Sequence, residues 1–349
     1  MRTSQEVQKR CIRVSPDERV FHRMREYGFL PSIKSCNAYL SSLLSFCRTD
    51  IILTFYKEMR ESKISPNVYT LNMVMCALCK SLKVDQAEEM FERVKDLGIV
   101  PNLASYNILI AGYCNRRRVD LAIKKRKMMS ANGIEPDAIT FNTLINGFCR
   151  EGKLCEASIV LREMKAMSVA PTIVTYNTLI NGYSQTGKTE IGEMLHEEMT
   201  RNGIKPDILT YNALILGHCV EGKTKKAAYL VQELEKNRLV PNASTFAALI
   251  RGQCVRNNPN RALQLYSSML RCGFHPSKEI YEMLVSFLCD LKDFEMAMKL
   301  LKDMMEMRVL PPDKLVNQVH DGLCCKGKHA LAEELSQNLE CRHVKTVGI

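Results

Sequence analysis

Apolar residues return along this chain with a helical period, and the pattern itself returns every 35 residues. Tyr176, Leu179, Ile180 and Tyr183 fall at i, i+3, i+4 and i+7, which predicts one buried stripe of an amphipathic helix. Thr186-Gly187-Lys188 interrupts it, since glycine readily takes the positive φ that helix ends commonly use. Ile191, Met194, Leu195 and Met199 predict the buried stripe of a second helix, closed by Asn202-Gly203. Pro206 follows and has no backbone donor to continue a helix. The unit is therefore expected to be a helical hairpin. Its wording recurs as TFNTLINGFCREGK from Thr140, TYNTLINGYSQTGK from Thr175 and TYNALILGHCVEGK from Thr210.

Prolines keep the same period. Pro31, Pro66, Pro101, Pro136, Pro171, Pro206, Pro241, Pro276 and Pro311 mark eight consecutive intervals of 35 residues, and only Pro16, Pro259 and Pro312 lie off the grid. Rows of core residues share it: Leu109, Leu144, Leu179 and Leu214 in the first helix, glycines at 112, 147, 182, 217, 252 and 322, and Ala122, Ala157 and Ala227 in the second. Methionines from Met24 to Met304 fill a further slot, suited to irregular gaps. One hairpin cannot bury both stripes, so neighbours must stack into an array of helices whose hand the periodicity leaves open.

Composition adds limits rather than a fold. The 349 residues are 46% hydrophobic and 25% charged, and no apolar run approaches the ~18 residues of a membrane span. A net charge of +11 suits an anionic partner. The first twenty residues carry basic charge together with Glu6, Asp17 and Glu18 and have no long apolar segment, which argues against a secretory signal and for at most a weak transit peptide.

Fifteen cysteines invite a metal or disulfide reading, and Cys76-x-x-Cys79 is the obvious candidate. Seven of them (Cys79, Cys114, Cys149, Cys219, Cys254, Cys289 and Cys324) share one slot of successive units, with Ser184 standing in once. A slot that asks only for a small side chain is a packing slot, so no metal is expected, and a reducing compartment suits the free thiols. His196-Glu197-Glu198 lacks the following C-x-x-C of a deaminase site and reads as helix. Arg116-Arg117-Arg118 and the run Lys124-Lys125-Arg126-Lys127 read as a solvated turn and helix face. No phosphate loop, nucleophile triad or paired carboxylates stand out, so no catalytic residue, no cofactor and no enzymatic activity is expected.

Asparagine behaves differently. Asn37, Asn72, Asn107, Asn142, Asn177 and Asn212 hold one slot of six successive first helices, although asparagine is a poor helix former. Each directly follows the aromatic or apolar core position, as in Tyr176-Asn177, and so is expected to turn away from the main stripe. Such a row is either an interhelical hydrogen bond repeated in every unit or a surface of amides, whose donor and acceptor suit the edge of a base. The second reading is the preferred one.

The period, the YNTLINGY first helix, the Gly-Lys turn, the small residue in the second helix and the G-I-x-P-D close together resemble the pentatricopeptide repeat. The tetratricopeptide repeat differs in its 34-residue period and characteristic Trp, a residue absent from this chain. The resemblance is to the P subfamily of plant organellar proteins, built only from 35-residue units. It implies an all-α, right-handed superhelical α-solenoid: a partial repeat over residues 1–32, eight full repeats over 33–312, and a degenerate repeat and tail over 313–349. It further implies binding of single-stranded RNA, one base per repeat, each base read by the asparagine slot and by the residue after the next proline.

Here those pairs are Asn37 with Asn67, Asn72 with Asn102, Asn107 with Asp137, Asn142 with Thr172, Asn177 with Asp207, and Asn212 with Asn242. Asparagine in the first place implies a pyrimidine; Asp in the second can accept from uracil N3–H and Asn can donate to cytosine N3. With the N-terminal repeat on the 5′ side, the implied target is C/U, C/U, U, an undivided pyrimidine, U, C/U. Ile139, Val174 and Leu209 match the apolar wedge against a base, whereas Lys34, Ala104 and Glu279 depart from it. Lys80 and Arg150 match the phosphate-contacting basic place, from which Val220, Val255 and Asp290 depart. Ala247 with Ser277 and Glu282 with Pro312 form no readable pair. The implied setting is a mitochondrion, with a plastid as the alternative, and the implied partners are a pyrimidine-rich RNA and other RNA-processing proteins, with no membrane. A peptide-binding scaffold is the competing reading of the same architecture.

Overall fold

Alternate helices start at Ile33, Val68, Leu103, Ala138, Ile173, Ile208, Ala243, Lys278 and Asp313, so the 35-residue grid of the sequence is also the grid of the backbone. The computed structural model describes residues 29 and 31–346 except residue 97. The expected partial repeat at 1–32, including Met24, lies outside the described residues but for its last few. Eighteen helices and no strand occur among the described residues. In chain order they are α1 (Ile33–Ser45), α2 (Thr49–Glu61), α3 (Val68–Lys80), α4 (Val84–Asp96), α5 (Leu103–Asn115), α6 (Val119–Ala131), α7 (Ala138–Arg150), α8 (Leu154–Ala166) and α9 (Ile173–Gln185). They continue with α10 (Thr189–Arg201), α11 (Ile208–Val220), α12 (Thr224–Lys236), α13 (Ala243–Val255), α14 (Pro259–Arg271), α15 (Lys278–Asp290), α16 (Phe294–Glu306), α17 (Asp313–Cys325) and α18 (His329–Thr346). Odd-numbered helices are the first of each hairpin and even-numbered ones the second: the fold is an all-α stack of helix-turn-helix repeats. The chain divides into two compact units, one up to Thr175 and one from Tyr176.

Each turn is made by one residue in the left-handed region. Within hairpins these are Cys47, Leu82, Arg117, Gly152, Gly187, Gly222, Asn257, Lys292 and Gly327, with φ between 55° and 75°. Glycine is therefore used at four of nine such positions; at the others a side chain bears the conformation at some cost.

Stacking in both units rests on the rows read from the sequence. Tyr106, Leu109, Ile110 and Tyr113 of α5 are buried, as are Tyr176, Leu179, Ile180 and Tyr183 of α9. Each such side chain contributes roughly 1.5–3 kcal/mol of transfer free energy. The second stripe differs from expectation. Ile191 is 37% and Met194 66% exposed, and α10 instead buries Gly192, Leu195 and Met199. Gly192 packs beside Leu214 and Ser184, and Met194 faces outward two residues on, as Ile159 and Tyr229 do after Ala157 and Ala227.

The glycine and cysteine rows meet each other. A Cβ on Gly112 would lie 2.6 Å from Cys79 Sγ, and one on Gly147 2.6 Å from Cys114 Sγ. A Cβ on Gly217 would lie 2.8 Å from Cβ of Ser184, and Gly252 receives Cys219 in the same way. Thus the small side chain of one first helix enters the notch left by glycine on the next. Burial pushes the thiols of Cys79 and Cys114 up to about 12 and that of Cys219 to about 11, which keeps them protonated and suits packing over metal binding. Phe287 occupies the glycine slot of α15, and residues from Ile250 to Leu335, before and after it in the chain, form one core cluster.

Charged residues also link repeats. Lys125, only 7% exposed, sits 2.7 Å from Glu88 and 3.0 Å from Glu92 of the preceding repeat, and Arg126 lies 2.9 Å from Glu163 of the following one. The middle of the Lys124–Lys127 run is thus an inter-repeat clamp rather than a solvated face, because these two positions turn toward neighbouring second helices. His196 is half-buried on α10, its ring 5.8 Å from that of Tyr211.

Candidate nucleic-acid interface

First helices from α1 to α13 begin on a side-chain cap. Asn67, Asn102, Asp137, Asp207 and Asn242 each accept from the backbone N–H three residues on, at 2.8–3.1 Å. The hydroxyl there accepts in return from the cap residue's own N–H, which completes a capping box in each. Thr172 and Thr175 make the corresponding pair of contacts for α9. In these repeats the residue after the proline therefore has a local task before any ligand is considered.

The asparagine of the preceding repeat reaches this cap. Nδ2 of Asn37 donates to Asn67 Oδ1 at 3.2 Å, Asn72 to Asn102 at 3.3 Å, and Asn107 to Asp137 at 3.3 Å. Asn142 donates to Thr172 Oγ1 at 3.3 Å, Asn177 to Asp207 at 3.0 Å, and Asn212 to Asn242 at 3.1 Å. All six sequence pairs are brought together, four within the first unit and two within the second. The less favoured of the two sequence readings, a repeated interhelical hydrogen bond, is therefore present at every pair. Nor is the row fully turned outward: Asn37, Asn72 and Asn212 are 8% exposed, while Asn107, Asn142 and Asn177 are half-buried. An amide clamped between consecutive first helices cannot be wholly on the surface.

The bonds are distributed unevenly over each cap residue. In Asp137 the backbone N–H of Thr140 and the Asn107 amide converge on Oδ1, and the Thr140 hydroxyl lies 2.9 Å from it. Burial alone would raise this carboxyl, but those donors hold it below its ordinary value. Asp207 Oδ1 likewise takes Leu209 N–H, Thr210 N–H and the Asn177 amide. The protein's own hydrogen bonds fall on Oδ1 in Asn67, Asn102 and Asn242 as well. Since a backbone N–H needs an acceptor, Oδ1 must face inward and the Nδ2 of these asparagines outward.

Ile139, Val174 and Leu209 each stand two residues beyond a cap and are exposed. Sequence reasoning missed Tyr69, which holds the same place after Asn67 and is exposed too; its signal was an aromatic on the same 35-residue grid. Lys80 and Arg150 are exposed at the ends of their first helices, and Arg150 donates to Asn115 of the preceding repeat at 2.9 Å. Among the described residues no group of three or more His, Cys, Asp or Glu is placed to hold a metal ion, and no helix is long and apolar enough to cross a membrane.

The PPR repeat family matches residues 31–80, 67–115, 101–150, 136–182, 171–219 and 206–255, and a PPR repeat matches 244–274 and 279–309. This chain belongs to the pentatricopeptide repeat family. The matched segments tile most of the chain, as the backbone grid does. A mitochondrial pentatricopeptide repeat-containing protein of Arabidopsis thaliana is 60% identical over 38 residues, which is 11% of this chain and 7% of that protein. The crystal structure of the pentatricopeptide repeat protein PPR10, a maize protein, in complex with an 18-nt psaJ RNA element aligns over 92% of this chain and 57% of that one. Its TM-score is 0.53 at 18% identity. A triple Cys-to-Ser form of PPR10 with the same RNA element gives the same values. These solved structures share the fold of this PPR chain, which spans little more than half of theirs.

Proposed function

We propose that this PPR protein binds single-stranded, pyrimidine-rich RNA, reading one base per repeat with the six asparagine-centred pairs. The observation that carries the proposal is the division of labour within each cap residue. Folding occupies Oδ1, and the second atom, an acceptor in Asp137 and Asp207 and a donor in Asn67, Asn102 and Asn242, is left to a ligand. A carboxylate oxygen complements uracil N3–H, and an amide N–H complements cytosine N3. Thr172 spends its single oxygen on Thr175 and Asn142, which accounts for an undivided pyrimidine there. Exposed Tyr69, Ile139, Val174 and Leu209 offer apolar faces against which bases pack, Lys80 and Arg150 offer charge to phosphates, and the net charge of +11 favours the complex.

Such occupancy acts without catalysis. Covering an RNA segment shields it from nucleases, opens a hairpin or recruits a processing partner, with consequences for RNA processing, stability, splicing or translation. The family and the mitochondrial relative favour a mitochondrion, and a plastid is the alternative. Binding measured against CU-rich, purine-rich and scrambled oligonucleotides at several salt concentrations tests the reading. The CU-rich strand is expected to bind tightest; equal affinity for all three sinks base reading, and no binding at all returns the peptide scaffold.

A further inference from the structure

Each reading asparagine has a second partner besides its cap. Thr70 Oγ1 donates to Asn37 Oδ1 at 2.6 Å, Ser105 to Asn72 at 2.7 Å, and Thr140 to Asn107 at 2.6 Å. Thr175 does the same to Asn142, Thr210 to Asn177 and Thr245 to Asn212, each at 2.6 Å. These hydroxyls are almost wholly buried, and none is placed to touch a ligand. We infer that this hydroxyl, supplied by the following repeat, is the positioning residue of base recognition: it fixes which edge the reading asparagine presents.

The chemistry follows from counting protons. A hydroxyl has one, and its backbone partner, the cap residue's N–H, is a donor that occupies a lone pair: Asp207 N–H lies 3.1 Å from Thr210 Oγ1. The proton has two acceptors in reach, Asp207 Oδ1 at 3.1 Å and the Asn177 amide oxygen at 2.6 Å, and goes to the amide oxygen, the shortest contact the hydroxyl makes. With Oδ1 tied to the hydroxyl and one Nδ2 proton tied to the cap, the amide cannot turn over. One Nδ2 proton and one Oδ1 lone pair remain, in a fixed direction.

The chain's own variation ties this hydroxyl to the asparagine it faces. A hydroxyl stands 33 residues after every one of the six asparagines from Asn37 to Asn212. Where the slot holds Ala247 or Glu282, the residue 33 later is Ile280 or Leu315, and Ser277 and Pro312 make no side-chain cap bond. Across the eight slots from Asn37 to Glu282, asparagine, cap bond and hydroxyl are present together or absent together; α1 keeps the Ser32–Ser35 cap with Arg2 in the slot 33 residues before. Serine at 105 keeps the geometry of threonine, so the requirement is for the hydroxyl rather than the methyl group.

The inference rests on base reading, and one experiment separates the two. The full chain is titrated with RNA carrying a CCUCUC core and with strands changed at a single base. In Thr210→Val, an isostere without the donor, the preference for U over A at the base assigned to Asn177 and Asp207 is expected to fall about tenfold, the effect of one lost hydrogen bond. Preferences at the other five bases stay, and Thr210→Ser restores the first. An undiminished U preference in a folded Thr210→Val protein overturns the positioning role, as does a uniform loss at all six bases. No preference at that base in the unmodified chain overturns base reading itself. Should Thr210→Val not fold, Thr140→Val at the base of Asn107 and Asp137 decides by the same criteria.

Discussion

The sulfur of Cys114 lies over the backbone of Gly147 in the next first helix, so near that a Cβ there would approach it to 2.6 Å. Gly147→Ala is therefore expected to destabilise by up to about 2 kcal/mol, an overpacking cost of about 1–3 kcal/mol less a helix-propensity gain of about 1 kcal/mol. Cys114→Ala removes the clashing atom. The double variant should be more stable than the sum of the singles by about 1 kcal/mol, read from denaturant unfolding as a double-mutant cycle. Additive effects would show that the two rows do not interlock.

Lys125 illustrates a charge that packs. Replacing it by Met keeps an apolar stem but strips Glu88 and Glu92 of their cation and the Phe91 ring of the ammonium 5.1 Å from its centroid. A loss of about 1–2 kcal/mol is expected, moderated because both glutamates reach solvent. Lys124→Met, on the exposed face of the same helix, should stay within about 0.5 kcal/mol of the unmodified chain in thermal unfolding.

Much of the fold was legible in the sequence because stacked units repeat their requirements: proline spacing gave the hairpin boundaries, and the Leu, Gly, Ala and Cys slots gave the core. What stayed hidden was which row touches which. That depends on helix rotation, which sends Met194 outward two residues after Gly192 as it does Ile159 after Ala157. Both members of each reading pair were legible, yet their mutual hydrogen bond and the Thr or Ser joining them were not. A contact between residues 30 or 33 apart becomes visible only when consecutive first helices are side by side.

Leu82 holds φ at 61° in the turn between α3 and α4, with its side chain exposed. Leu82→Gly relieves a left-handed strain of about 1–2 kcal/mol and loses about 0.4–1 kcal/mol through unfolded-state freedom. A net gain of about 0.5–1 kcal/mol is expected in denaturant unfolding; a destabilised protein would mean that the side chain packs after all.

Glu221 governs one part of the acid response. Burial alone would raise its carboxyl, but Lys223 at 2.7 Å and the Thr189 N–H at 2.8 Å hold it down to about 2. Its folded value is depressed, so its contribution is full above the ordinary carboxylate range near 4.5 and is lost as pH falls toward about 2. Glu221→Gln should flatten the fall in stability across that window in pH-dependent thermal unfolding, with little change in slope at neutral pH.

Asp207→Asn tests the central claim most directly. Asparagine caps a helix as well as aspartate does, and Asn242 already holds the same geometry with Asn212, so the fold is retained. Only the outward atom changes, from acceptor to donor. In binding to strands that differ at the single base assigned to Asn177 and Asp207, the ratio of U to C is predicted to move toward C by about tenfold, with the other bases unaffected. An unchanged ratio in a folded protein would contradict the account.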